Sequence, residues 1–226
     1  VVYAGRHPDF VAGIGGVELG FARAGIVAHT LIENWEPARE VLRRNFPDAT
    51  LLGDVRDVTS VPRADVLAGG FPCTDLSQAG RTAGIHGEAS GLVKELFRLV
   101  PLVEPTWLVV ENVRNMLSLD RGLAMQFLTT HLEDRGFRWA YRLVNSQAFG
   151  VPQRRHRVLM VASRTEDPRP VLFGDDAGEH SLPDLRTDAY GFYWTEGLRG
   201  LGWAQDAVPT LKGGSTIGIA SPPGVW

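Results

Sequence analysis

Short apolar runs alternate with amphipathic stretches of helical period along the first two thirds of the chain. The amphipathic stretches predict four helices, at Gly16–Ala24, Pro37–Asn45, Leu92–Leu102 and Gly122–Asp134. The apolar runs predict strands at Asp9–Ala12, Ile26–Ile32, Thr50–Leu52, Asp65–Ala68, Trp107–Val110, Arg138–Val144 and Val158–Ala162. This order is typical of an α/β fold with a mostly parallel, doubly wound sheet that is covered by helices on both faces.

The alternation stops after Ser163, and the remaining residues are rich in Pro and Gly with scattered aromatics. This composition predicts a loop-rich second region over 164–226, beside a main domain over 1–163. In doubly wound sheets, ligands bind at the carboxyl ends of the strands. Each candidate motif described below directly follows a predicted strand.

The composition fits a globular protein, since 44% of the 226 residues are hydrophobic and 22% are charged. A single cysteine excludes an internal disulfide and a cysteine-rich zinc site, and we predict no metal site. No apolar run approaches the length of a membrane helix. Six arginines and no acidic residue lie between Arg135 and Arg157, which would suit a phosphate backbone, although a solvated face is the alternative.

A glycine-rich turn, Gly13–Gly16, separates the first predicted strand from the first predicted helix. It is not the dinucleotide fingerprint, because Glu18 stands where that motif requires its third glycine. Glu33 and Asp54 follow the next two predicted strands. Glycines followed by two acids predict a nucleoside site, in which Glu33 accepts from ribose hydroxyls and Asp54 accepts from an exocyclic amine. A solvated loop acid is the alternative for each.

The only cysteine, Cys73, follows Pro72 in the small and polar segment Gly69–Gln78. A lone cysteine is often an inert core residue. Asp75 and Ser77 beside it are not core residues, so we predict a reactive thiol in a loop.

Glu111 ends a strand that has no other polar residue, and a protonated carboxyl there is suited to give a proton to a ring nitrogen. A loop acid is the alternative. In Gln153–Arg157, period-two alternation places Arg155 and Arg157 on one side of an extended chain. That pair would face an anionic or carbonyl-rich ligand, or would only protect the edge of a sheet.

Taken in order, these motifs resemble those of the DNA (cytosine-5)-methyltransferases. The matching segments are Asp9–Gly16, Gly70–Cys73, Glu111–Val113 and Gln153–Arg157, and the resemblance spans about residues 9–163. Each motif alone is weak, whereas their order is specific. The resemblance implies the Rossmann-like fold of S-adenosylmethionine-dependent methyltransferases. It also implies transfer of a methyl group to C5 of cytosine in double-stranded DNA, with S-adenosylhomocysteine as product.

The resemblance assigns roles residue by residue. Cys73 would attack C6 of a flipped-out cytosine, Glu111 would act at N3, and Arg155 and Arg157 would hold the O2 side of the base. The implied cofactor-binding residues are Phe10, Gly13, Ile14, Gly15, Gly16, Glu33, Asn34, Asp54, Val55, Pro72 and Leu92. The implied substrate-binding residues are Gln78, Asn112, Gln153 and Thr210.

Several positions depart from the family pattern. Val11 and Asn34 stand where an aromatic and a large apolar residue are usual, and Ala89 stands where an arginine is expected. The family's last motifs do not occur before Trp226, so we expect a C-terminally truncated chain of low activity. We expect 164–226 to be a partial target-recognition region.

The compact layout favours a bacterial or phage restriction–modification system, in which a cytoplasmic monomer acts on DNA. A cognate restriction endonuclease would be linked to it by function and not by contact. Two alternatives stay open: a tRNA cytosine-5 methyltransferase, and a nucleic-acid-binding module that keeps the fold without catalysis. The DNA recognition sequence does not follow from the residues.

Overall fold

A computed structural model describes residues 2–4, 12–71, 92–174, 189–194, 201–209 and 224–225. The chain forms two compact units. The first comprises Val1–Arg142 and Val158–Gly174, and the second comprises Leu143–Arg157 and Asp175–Trp226. They are described separately below.

A seven-stranded sheet with the order β3-β2-β1-β4-β5-β8-β6 forms the centre of the fold among the described residues. Its strands are β1 (Val2–Ala4), β2 (Thr30–Ile32), β3 (Thr50–Leu52), β4 (Val66–Gly70), β5 (Trp107–Val113), β6 (Arg138–Asn145) and β8 (His156–Ser163). The first five strands pair in parallel. The chain reverses its direction of winding between β1 and β4, so the carboxyl ends of these strands border the crevice where such folds bind ligands.

The helices of the first unit are α1 (Gly16–Arg23), α2 (Glu36–Asn45), α3 (Leu92–Val103), α4 (Leu123–Glu133) and α5 (Pro168–Phe173). Helix α1 begins directly at the glycine turn, with Gly15 as its N-cap. Helix α2 has Pro37 in its first turn, where the fixed φ of proline suits helix initiation. Among the helices described, none is both long and apolar enough to cross a bilayer.

Two hydrophobic cores cover opposite faces of the sheet, because adjacent residues of one strand point to opposite sides. Leu31 and Ala68 pack with α1 and α2, whereas Ile32 and Leu67 pack with α3 and α4. This division confirms the predicted mostly parallel sheet with helices on both faces.

The predicted elements up to Ser163 agree with the structure except at the first two strands and at the bounds of two later ones. Strand β5 continues to Val113, so Glu111 and Asn112 lie within the strand and not after it. Strand β8 begins at His156, two residues earlier than predicted.

The second strand is shorter than predicted and begins at Thr30. Of the first predicted strand, residues 9–11 lie outside the described residues, and Ala12 is not in a strand. Strand β1 lies instead at Val2–Ala4, a three-residue segment that is too short to show a period.

The second unit contains short strands that the sequence pattern did not predict, and the loop-rich character of 164–226 stays a prediction. Strands β9 (Tyr190–Trp194), β10 (Leu201–Gln205) and β12 (Gly224–Val225) form an antiparallel sheet. The strand β7 (Gln153–Arg154) pairs in parallel with β11 (Val208–Pro209). The sequence pattern did not indicate β9, because its aromatic residues and glycine give no apolar–polar alternation.

Candidate active site

The glycine turn exposes its backbone at the carboxyl edge of the sheet. Gly13 and Gly15 have φ values of 57° and 88°, which favour glycine. A Cβ atom on Gly13 or Gly16 would meet no atom of the described residues within 4 Å. Ile14 between them is 63% exposed. The turn therefore leaves room for a ligand to lie directly against the main chain.

Glu33 lies against this turn and is fully buried. Its Oε2 accepts the backbone N–H of Gly13 at 2.9 Å, and its Oε1 accepts that of Trp35 at 2.7 Å. Burial raises the pKa of Glu33 to about 7, and the two hydrogen bonds offset this only in part. Glu33 thus joins the end of β2 to the glycine turn, although 20 residues separate it from Gly13.

Asp54 follows β3 and is the N-cap of a 3₁₀ turn, Val55–Asp57. Its Oδ1 accepts the backbone N–H and the Nε–H of Arg56, each at 2.9 Å. Hydrogen bonding from Arg56 lowers the pKa of Asp54, and the Asn34 side chain contributes in the same direction. The side chain of Val55 is buried in the core. Asn34 and Asp54 therefore meet at the ends of β2 and β3.

Trp35 is a residue of this site that the sequence prediction missed. Its amide donates to Glu33, and its indole is 49% exposed. The available signal was an aromatic residue two positions after the predicted ribose-binding acid. The prediction considered only Asn34, where a large apolar residue is usual.

Glu111 lies beside the end of β4. Strands β4 and β5 pair in a register that sets Gly70 opposite Glu111. A Cβ atom on Gly70 would lie 3.3 Å from the Oε2 atom of Glu111. The carboxyl group therefore packs over the glycine, three residues before Cys73 in the chain.

Asn112 holds the segment that leads into the cysteine. Its side chain is buried, and its Nδ2 donates to the carbonyl of Phe71 at 2.8 Å. Its Oδ1 accepts the N–H of Val113 at 2.8 Å.

Leu92 is the first residue of α3. The remaining predicted site residues, Phe10, Pro72, Cys73, Gln78 and Thr210, lie outside the described residues.

In the second unit, Asn145 fixes the backbone of the arginine motif. Its Oδ1 accepts the N–H of Arg155 at 3.1 Å, and the Arg155 carbonyl accepts the N–H of Ser146 at 3.2 Å. The Arg157 guanidinium donates to the carbonyl of His156 at 2.8 Å. Gln153 pairs with Val208 through β7 and β11. No sequence pattern marks Asn145, since its partner lies ten residues away.

Glu18 is the buried acid of α1 and is 1% exposed. Neither carboxyl oxygen has a hydrogen-bond partner of good geometry within the described part of the chain. Desolvation raises the pKa of Glu18 to about 7, and its own backbone amide offsets this only in part. A buried carboxylate without a partner is destabilising once it ionises.

We expect Glu18→Gln to stabilise the protein at pH 8 and to have little effect at pH 4. Because the pKa in the folded state is the higher one, the free energy of unfolding falls as pH rises from about 4.5 to 7. The glutamine cannot ionise, so its gain at pH 8 is up to about 3 kcal/mol. Chemical denaturation of the wild type and the variant at both pH values measures this difference in the free energy of unfolding.

Glu40→Gln is the matched control, because Glu40 is an exposed glutamate of α2. It should change stability little at either pH. An equal effect of Glu18→Gln at pH 4 and pH 8 would contradict the expectation. Some pH dependence should persist in the Glu18 variant, since Glu33 titrates in the same range.

Comparison with known proteins identifies the family of the chain. Residues 6–187 match the family described as C-5 cytosine-specific DNA methylase. The chain is 49% identical to the type II methyltransferase M2.BsuMI of Bacillus subtilis over 95% of this chain and 58% of that relative. It is 35% identical to M.NgoFVII of Neisseria gonorrhoeae over 76% of this chain and 48% of that relative. The chain thus spans about half the length of these two relatives.

Solved structures share the fold. The S. pombe Dnmt2 methyltransferase superposes with a TM-score of 0.54 at 15% identity, covering 79% of this chain and 54% of that one. The Entamoeba histolytica methyltransferase EhMeth superposes with a TM-score of 0.54 at 16% identity, covering 81% of this chain and 57% of that one. These likenesses confirm the predicted methyltransferase fold. The match over residues 6–187 establishes that the chain belongs to the C-5 cytosine-specific DNA methylase family.

Proposed function

We propose that the protein transfers a methyl group from S-adenosylmethionine to C5 of cytosine in double-stranded DNA, as part of a bacterial modification system. The observation that carries the proposal is the packing of Glu111 over Gly70, at the start of the segment that leads to Cys73. We take Glu111 as the proton donor, and Gly70 precedes Cys73, the only cysteine of these 226 residues, by three positions. Family membership supports the reaction type and S-adenosylmethionine as the cofactor.

The residues at the carboxyl edge fit an adenosyl cofactor. Gly13 and Gly16 leave open space that a side chain would fill, which suits the amino-acid portion. Glu33 would hold the ribose hydroxyls and Asp54 the adenine amine. The half-exposed Trp35 would supply the large apolar surface that Asn34 lacks. When bound, S-adenosylmethionine supplies the methyl group.

The chemistry of the chain's own residues follows from these positions. The Cys73 thiolate forms a bond to C6 of the flipped base, and Glu111 gives a proton to N3, so that C5 becomes nucleophilic. After C5 has gained the methyl group, a base removes the C5 proton, and the electron pair of the C5–H bond restores the C5–C6 double bond. The C6–sulfur bond breaks in the same elimination, its electron pair leaves with the Cys73 thiolate, and N3 returns its proton to Glu111.

The remaining predicted residues have supporting roles in this proposal. Arg155 and Arg157 hold the O2 side of the base, and Gln153, Gln78 and Thr210 contact the substrate. Since the Asn112 amide is committed to Phe71, we assign it the positioning of the cysteine loop instead of a contact with DNA.

The test is methyl transfer by the complete protein to unmodified duplex DNA, with labelled S-adenosylmethionine and nucleoside analysis by mass spectrometry. We expect 5-methylcytosine at a defined sequence. Label in tRNA but not in DNA would favour the tRNA methyltransferase alternative. Binding of DNA without any transfer would favour the non-catalytic module.

A further inference from the structure

Two arginines, Arg39 on α2 and Arg98 on α3, bind main-chain carbonyls of the two loops that carry Glu33 and Asp54. We propose that both are positioning residues, which set the site's selectivity for the ribose and the adenine of its ligand without touching either. The inference rests on the proposed function, because it assumes that these two acids bind an adenosyl group.

Arg39 ties the end of β2 to the end of β3. Its Nη1 donates to the carbonyls of Glu33 and Leu52, each at 2.6 Å. Its Nε lies 3.0 Å from the Oε2 of Glu36, which balances its charge. The arginine side chain is only 18% exposed, so water competes weakly for these carbonyls. Arg39 thereby fixes the main chain from which the Glu33 carboxyl group projects.

Arg98 ties α3 to the 3₁₀ turn that follows Asp54. Its Nη2 donates to the carbonyl of Val55 at 2.7 Å, and its Nη1 donates to that of Val58 at 2.6 Å. Its Nε donates to the Oε2 of Glu95 at 2.5 Å. The Val55 carbonyl also accepts the N–H of Val58 at 3.2 Å. Arg98 adds charge-assisted hydrogen bonds to both carbonyls, and these are stronger than neutral ones.

Arg98 uses the fork of its planar guanidinium, because Nη1 and Nη2 reach the carbonyls of Val58 and Val55 separately. Arg39 reaches both of its carbonyls through Nη1 and uses Nε for Glu36. A lysine ammonium is a point donor without this planar fork. Neither arginine would be found by searching for ligand contacts.

The experiment measures the affinity of three ligands for the complete protein by calorimetry. The ligands are S-adenosylhomocysteine, its inosine analogue, which lacks the amine proposed for Asp54, and its 2′-deoxy analogue, which lacks a hydroxyl proposed for Glu33. We expect Arg98→Met to lower the preference for adenosine over inosine about fivefold or more. We expect Arg39→Met to lower the preference for the 2′-hydroxyl by a similar factor.

Arg63→Met is the control, because Arg63 forms an exposed ion pair with Glu104 and binds no main-chain carbonyl in the described residues. It should leave both preferences unchanged. Should either methionine variant fail to fold, Arg39→Lys and Arg98→Lys carry the same test and are expected to give intermediate losses. Equal weakening of all three ligands, with both preferences intact, would overturn the inference alone. Failure of the wild-type protein to bind any of the ligands would overturn the proposed function and this inference together.

Discussion

Replacement of Cys73 by serine is expected to abolish methyl transfer while leaving the binding of S-adenosylhomocysteine unchanged. A serine hydroxyl is a far weaker nucleophile than a thiolate toward C6. Loss of the nucleophile in a covalent mechanism lowers kcat by on the order of 10⁴-fold or more. Single-turnover assays with labelled cofactor and calorimetry with S-adenosylhomocysteine measure the two quantities separately.

Trapping with 5-fluorocytosine DNA provides the control for this result. Fluorine at C5 blocks the last elimination, so the wild-type protein should remain attached to the DNA. Cys73 is the only cysteine of these 226 residues, and peptide mass spectrometry of the protein–DNA adduct identifies the attached residue. An adduct that persists in the serine variant would contradict the assigned nucleophile.

Glu111→Gln is expected to lower kcat by about 10² to 10⁴-fold, which is the usual contribution of a general acid. Glutamine has nearly the same volume, so it should still pack over Gly70 and leave the fold intact. Thermal unfolding and pre-steady-state methylation rates measure the two effects.

Glu104→Gln is the matched control, since Glu104 is an exposed glutamate in an ion pair with Arg63. It should retain the wild-type rate. If Glu111→Gln kept more than about a third of the wild-type rate, the carboxyl group would have no role as an acid.

The parallel core of the fold was predictable because its signals are local. The apolar run of β5 and the amphipathic period of α2 each lie within one segment of the chain. Strand β1 and the sheet of the second unit were not predictable, because their strands are short or lack alternation. Their pairing depends on contacts between residues that are far apart in the sequence, and a local sequence pattern does not indicate such contacts.

The candidate site divides in the same way. Glu33 and Asp54 were predicted from their places after strands, and the structure brings Glu33 to Gly13 at hydrogen-bonding distance. The hydrogen bonds by which two arginines hold the loops of these acids were not predicted. Arg39 and Arg98 act through main-chain carbonyls, and carbonyls are common to every residue, so the sequence carries no mark of these contacts.

The edge of the Phe46 ring occupies the volume that a methyl group on Gly15 would need, since a Cβ there would lie 2.3 Å from Cε2. Residues 15 and 46 are therefore expected to evolve as a pair. A substitution at position 15 requires a smaller residue at position 46. Even then, the left-handed backbone at position 15 disfavours any residue with a side chain. If this glycine is unchanged among related sequences, packing against the end of a helix explains its conservation as well as ligand binding does.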